Sequence, residues 1–264
     1  MSVIKPLSFL YSTLLGGIAK VHITQNNTFD DNSIYAGNLA LHVHDEPSIV
    51  LQRRVALEKS IGLPIQWLDQ VHGNIVYTVS SVQSIQQSSS PIADAAMTQD
   101  PSVALAVMTA DCLPVIFSAH NLEGTQAIAV AHAGWRGLEA GILNCTLSAL
   151  HQAVSNAVIN VHLAPCIGVA QFEVGNEVKE AFVSQSPEYA LAFTAKSKYK
   201  YLCDLNYLAK KILNRAGVSA ENINGGGFCT VSDPRLASYR RRSITGRFAS
   251  VVSIINTELL TSNY

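Results

Sequence analysis

"TQAIAVAHAGWRGLEAGIL", residues 125–143, runs from a buried strand through a glycine-rich turn into an apolar helical pattern. The strand part is built from alanine, valine and isoleucine and carries no charge, as a strand covered on both faces would be. Gly134 and Gly137 let the chain bend and let a ligand come close to the backbone. Leu138, Ile142, Cys145, Ala149 and Ala153 then recur at helical spacing, which predicts one helix from Leu138 onward, packed on the sheet. A strand feeding a helix in this way is the unit of an α/β fold. Strand ends and helix N-termini are where such folds bind ligands and anions. His132, Trp135 and Arg136 occupy that place; the alternative is a helix cap with a packed tryptophan.

Outward from this stretch the same alternation continues. Strands are predicted over residues 18–24, 75–82, 158–165 and 246–256, and two more over 103–119, separated by the turn "TADCLP". Helices are predicted over 47–64, opened by Pro47 and stopped by Gly62 and Pro64, and over 176–185 and 205–217. The polar stretch "QSIQQSSSP", residues 83–91, reads as a surface loop. Without repeat, low-complexity tract or linker, the simplest architecture is one mixed α/β domain over residues 1–264.

Composition narrows the partners. Hydrophobic residues at 48% against 14% charged ones allow a large core and exclude disorder. Eighteen basic against 19 acidic residues give a net charge of -1, so neither nucleic acid nor an anionic membrane is an expected partner. Five scattered cysteines without a C-x-x-C pair argue against a disulfide framework and for a reducing, cytoplasmic compartment. "PLSFLYSTLLGGIA" imitates the apolar part of a signal peptide, but its basic flank is weak and no clean cleavage site follows. A monomer or weak homo-oligomer is expected.

Three turns carry chemistry. Cys112 follows Asp111 at the end of a buried strand, and Pro114 after it points to an edge or a bulge. His72 lies in "DQVHGN" ahead of a strand, and His132 closes another. Brought together, two imidazoles and one thiolate make a three-ligand zinc set with an open fourth position, whereas magnesium and calcium are disfavoured. The competing reading makes Cys112 a nucleophile, His132 its base and Asp111 or Asn74 the orienting group of a hydrolase or amidase acting on a cell-wall-type substrate. The other histidines, His42 included, read as structural or surface residues. "SYRRRSITGRF" gathers Arg240, Arg241, Arg242 and Arg247, either an anion site or a solvated face. Arg54 shares a helical stripe with Val50, Leu57 and Ile61, which calls for an anionic partner, a ligand or a route to solvent.

The motifs "NLALHVHDEP", "LDQVHG", "ADAAMT", "AVMTADCLPVIF", "AHAGWRGLEAGIL", "APCIG", "FEVG", "GGFCT" and "SYRRRSITGR" together resemble the YfiH, or laccase-domain (polyphenol oxidase-like), family of purine nucleoside phosphorylases, from about residue 18 to 255. The resemblance implies a layered α/β sandwich with mixed sheets, similar to the catalytic domain of cytotoxic necrotizing factor. It implies metal ligands at His72, Cys112 and His132, phosphorolysis of purine nucleosides including methylthioadenosine, and deamination of adenosine. Copper-linked phenol oxidation gave the family its older name, yet one His2Cys group lacks the many histidines of a multicopper oxidase, so zinc is expected and copper is the alternative. Asp111 is the expected proton-transfer or supporting group. Arg54, Arg136, Arg240 and Arg241 are expected to contact the anion, and Trp135 to wall the pocket. The chain departs from the family's early arginine-glycine turn, with Gln25, Asn26 and Asn27 in its place, and Arg53 or His44 is the expected compensation.

Overall fold

In the computed structural model, which describes residues 7–29, 33–86 and 90–255, consecutive residues of the central strands alternate between two different cores. Strand β6 (Ala104–Thr109) points Leu105 and Val107 to one side and Ala104, Ala106 and Met108 to the other. Strand β8 (Gln126–Ala133) does the same with Ile128 and Val130 against Ala127, Ala129, Ala131 and Ala133. A period of two with apolar residues on both faces requires a cover on each side, and that requirement sets the layering.

β6 belongs to a five-stranded sheet with β1 (Tyr11–Leu15), β2 (Ala19–Ile23), β14 (Phe248–Ile254) and β3 (Ile65–Gln66), in the order β1-β2-β14-β6-β3. β8 belongs to a six-stranded sheet in which β13 (Ile223–Gly225), β9 (Val158–Leu163), β7 (Leu113–His120), β8, β5 (Ala95–Thr98) and β4 (Val76–Val79) follow one another. Both sheets are mixed: β3–β6, β4–β5 and β9–β13 pair in parallel and the other neighbours antiparallel. One core lies between the sheets. The outer face of the first is covered by helix α1 (Pro47–Ile61) through Leu57. The outer face of the second is covered by α4 (Ile142–Ala153), α5 (Asn176–Val183) and α6 (Leu205–Arg215). A small sheet of β10 (Glu173–Gly175), β12 (Lys200–Cys203) and β11 (Phe193–Ser197) flanks these helices. The molecule is the layered α/β sandwich with mixed sheets that the family resemblance implied.

Three expectations need correction. The helix after the glycine turn is two: α3 (Trp135–Glu139) and α4, broken at Gly141, whose φ of 87° no ordinary helix residue adopts. The short helix α2 (Val82–Gln86) takes the last residue of the strand predicted over 75–82 and the start of the stretch read as loop; residues 87–89 of that stretch lie outside the described residues, as do Lys5, Pro6 and Asn256. Pro114 marks neither an edge nor a bulge. It sits second in the central strand β7 in regular register with His132, a strand-start position where its missing N–H is tolerated. Among the described residues no helix is long and apolar enough to cross a membrane.

Candidate metal centre and its cavity

The strand register assembles the site. Pairing of Leu113 with Ala133 and of Pro114 with His132 puts the turn before β7 beside the end of β8. Pairing of Ala95 with Ala131 puts Asp94 beside His132, whose backbone N–H donates to the Asp94 carbonyl at 2.7 Å. The turn carrying His72 is then drawn onto Asp94. Val71, His72 and Gly73 donate their backbone N–H groups to its carboxylate at 3.2, 2.9 and 2.6 Å. Three successive N–H groups around one anion form a nest, and the nest accounts for His72 holding a left-handed φ of 63°. Gln70 ties the same turn to β6, exchanging hydrogen bonds with the Met108 backbone at 2.8 and 3.0 Å.

As a result His72, Cys112 and His132 offer ligand atoms that all lie within 4.8 Å of one another; the first side chain is exposed, the second half-buried, the third buried. Cys112 Sγ is 3.8 Å from His72 Nε2. A tetrahedral zinc with its usual Zn–N and Zn–S lengths places such atoms roughly 3.5 Å apart, so the donors fit the ion in chemistry and would draw together slightly to hold it. His132 Nδ1 donates to Asp94 Oδ1 at 2.8 Å, which leaves its Nε2 as the ligand atom, as metal-binding histidines require. Gly134 is needed for room rather than for a turn. A Cβ there would stand 2.9 Å from Cys112 Sγ and 3.3 Å from His72 Cδ2.

The electrostatics favour the charged thiolate. Burial pushes the Cys112 thiol up, but the charge and hydrogen bond of His132, with those of His72, outweigh it and hold the thiol down at about 6. Burial pulls His132 the other way, and the charge of Cys112 together with the Asp94 hydrogen bond raise it to about 9. Asp94 itself stays below the usual carboxylate range: burial would raise it, and the bonds from His132 and Gly73 overcome that.

The group opens into a cavity of about 320 Å³, also lined by His42, Gln70, Asp111, Phe172, Tyr239, Arg240 and Arg247. That volume falls in the range of roughly 300–1,000 Å³ in which small-molecule ligands bind. Asp111, at a φ of 96°, lines the cavity but uses both carboxylate oxygens, accepting from Thr230 Oγ1 and from the Arg240 backbone N–H, each at 2.6 Å. Arg240 donates to the carbonyls of Gln171 and Glu173.

The remaining expected contacts lie elsewhere. Arg54 is buried at the Leu39 carbonyl and stacked 4.3 Å over Trp67, outside the cavity lining. Arg241 is spent on the carbonyls of Thr230, Val231, Asp233 and Leu236. Trp135 packs on the helix-side core under the Arg136 guanidinium, and neither lines the cavity. Arg53 pairs with Asp45 at 2.6 Å, His44 is not at the cavity, and Gln25 bonds Ser8. Asn74 donates to the Ala140 carbonyl and orients no histidine. Sequence reasoning missed Asp94, although its motif was noted, and it placed His42 among the structural histidines.

Fold and donor set together define a layered α/β protein with, among the described residues, one His2Cys group that could hold a metal ion, opening into an arginine-bearing cavity. The chain belongs to the multi-copper polyphenol oxidoreductase laccase family, whose model matches residues 20–255. It is 43% identical over 217 residues to purine nucleoside phosphorylase PA4543 of Pseudomonas aeruginosa, covering 81% of this chain and 84% of that protein. It is 42% identical over 221 residues to purine nucleoside phosphorylase YfiH of Escherichia coli, covering 83% and 86%. Among solved structures, Neisseria meningitidis protein NMB0706 superposes with a TM-score of 0.83 at 37% identity, covering 94% of this chain and 99% of that one. YlmD of Geobacillus stearothermophilus gives 0.83 at 25% identity, covering 95% and 100%.

Proposed function

We propose that the protein is a zinc-dependent purine nucleoside phosphorylase that also accepts methylthioadenosine and deaminates adenosine, working in a reducing, cytoplasmic compartment. The observation that carries the reading is the group of His72, Cys112 and His132, with ligand atoms within 4.8 Å, opening into a nucleoside-sized cavity. The names borne by the relatives support the phosphorylase part; zinc over copper follows from the donor chemistry. Among the described residues this is the one such ligand group, which does not suit multicopper oxidation.

A zinc ion in this group supplies Lewis acidity at neutral pH. The chain supplies the rest. In phosphorolysis a phosphate oxygen bonds to C1′ of the ribose, the C1′–N9 bond breaks, and the base leaves with the electron pair and takes up a proton. Phe172 and Tyr239 offer apolar faces for the base. The guanidinium groups of the cavity offset the phosphate charge. Burial and the Arg247 charge push the His42 imidazole toward its neutral form, in which it can accept or donate a hydrogen bond. Asp111 acts as a clasp between the Cys112 turn and the Arg240 segment, because both its oxygens are engaged.

A second reading has one specific observation in its favour. Asp94, His132 and Cys112 form a carboxylate–imidazole–thiol series, the arrangement of a cysteine hydrolase. One experiment separates the two. Metal analysis of protein purified without chelator should give one zinc per chain, lost in Cys112→Ser. The zinc-loaded protein should release base from inosine or adenosine only when phosphate is present. Absence of base release from every purine nucleoside, with hydrolysis by the metal-free protein blocked on alkylation of Cys112, would establish the hydrolase instead.

A further inference from the structure

A phosphorolysis site must hold a phosphate dianion, and a guanidinium does this with parallel N–H donors that the fold has left open. Counting donors separates the arginines. Arg54 spends Nε on a backbone carbonyl and its other end on the Met108 sulfur. Arg240 spends both terminal nitrogens on carbonyls, and Arg241 does the same. Arg247 spends one terminal nitrogen, on the neighbouring carbonyls of Thr245 and Gly246. Its Nε and second terminal nitrogen have no partner among the described residues and are not sealed from solvent, and the side chain lines the cavity.

The backbone that carries Arg247 is tied on both sides. Phe248 pairs with Thr109, so Arg247 stands across from Ala110, at the turn that carries Asp111 and Cys112. Its backbone N–H donates to Asn38 Oδ1 at 2.9 Å and its carbonyl accepts from Leu39 at 3.1 Å. The preceding residue must be glycine, since a Cβ on Gly246 would lie 2.6 Å from that of Asn38. The guanidinium is largely buried with no carboxylate paired to it, and burial lowers it from the usual arginine value. Cys112 and Asp111 lend it negative charge from nearby, but neither accepts a hydrogen bond from it, so its open donors remain for an anion that arrives with the substrate.

We propose that Arg247 binds the phosphate cosubstrate, with its unpaired guanidinium edge facing the cavity beside Cys112. The proposal rests on the phosphorylase reading of the same site. Steady-state phosphorolysis of inosine tests it. In zinc-loaded Arg247→Gln the KM for phosphate should rise about tenfold or more, the loss expected for a charge-assisted hydrogen bond, while KM for inosine moves by less than about threefold. Added guanidinium ion should restore part of the rate of Arg247→Ala. An unchanged phosphate KM, or equal rises in both KM values without rescue, overturns the proposal.

Because Arg247 also braces the 245–246 backbone, the wild-type protein gives an independent reading. Its arginine Nε–H resonance, identified by its loss in Arg247→Lys, should shift and saturate as inorganic phosphate is added to zinc-loaded protein, and sulfate should compete. A resonance that stays still overturns the assignment even if the glutamine variant fails to fold. If the wild type releases no base from any nucleoside, the phosphorylase reading fails, yet this titration still decides whether Arg247 holds the anion.

Discussion

Asp94 governs both histidines of the candidate metal group at once. One carboxylate fixes the His132 ring from Nδ1 and gathers the three N–H groups that hold His72 in its left-handed turn. Asp94→Asn keeps the size and removes the charge. The new amide nitrogen must face either the imidazole N–H or a backbone N–H, so one donor always meets another. Zinc affinity, measured by competition with a chromogenic chelator, should fall by roughly 10–100-fold, as for other groups that orient metal-bound histidines. Unaltered affinity would remove Asp94 from the metal centre. The three candidate ligands could be read in the sequence because their side chains announce their chemistry and each sits on a turn at a strand end. Asp94 could not, because an aspartate ahead of a strand looks like any other of the 19 acidic residues until the pairing of β5 with β8 sets it against His132. For the same reason the sequence could not separate Arg240, which lines the cavity, from Arg54, Arg136 and Arg241, which do not. Charge is visible in a sequence, but whether backbone carbonyls have already taken it up is not.

Elements were legible where the apolar pattern was long and unbroken. The period-two runs of β6, β7 and β8 and the 3.6-residue pattern of α6 read correctly, the latter capped by Asp204 accepting from the Tyr207 N–H. The break at Gly141 was hidden because Leu138 and Ile142 keep helical spacing across it. The two short arms have different work. α3 brings Gly137 within 3.2–3.3 Å of the His132 and Gly73 carbonyls, measured from where its Cβ would stand, so it seals the back of the metal turn. α4 packs Ile142, Leu143, Leu147 and Leu150 on the sheet. Function and packing should therefore separate by mutation. Ile142→Ala, at a fully buried position, should cost about 2–5 kcal/mol in urea denaturation and leave one zinc per folded chain. Loss of zinc from the folded variant without that destabilisation would mean that Ile142 belongs to the metal centre and not to the core.

At the scale of the whole molecule, the two stacked sheets bury polar side chains that short-range pattern could not place. His22 is the clearest. It lies on β2 between Ser12 of β1 and Val251 of β14, bonded through Nδ1 to Ser12 Oγ at 2.7 Å and packed 4.8 Å from the Phe9 ring. Burial, with a smaller contribution from the Lys20 charge, lowers it from 6.5 to about 4. Burial lowers His162, bonded to the Tyr11 hydroxyl, in the same direction. A histidine depressed in the folded state takes up its proton more readily when the chain is unfolded. Its contribution is therefore fully present above about pH 6.5 and lost as pH falls toward 4. For His22 the shift corresponds to on the order of 3 kcal/mol. Acid also competes with any bound metal for its ligand side chains, so the wild-type curve alone is ambiguous. The comparison with His22→Asn isolates the term, since the amide can keep the Ser12 bond and both proteins share the same metal site. The stability gap between wild type and variant should be constant above pH 6.5 and should shift in favour of the variant between pH 6.5 and 4. Denaturation curves that stay parallel through that window would show that His22 is protonated in the folded sheet, and that the seam between the first two strands is open to water.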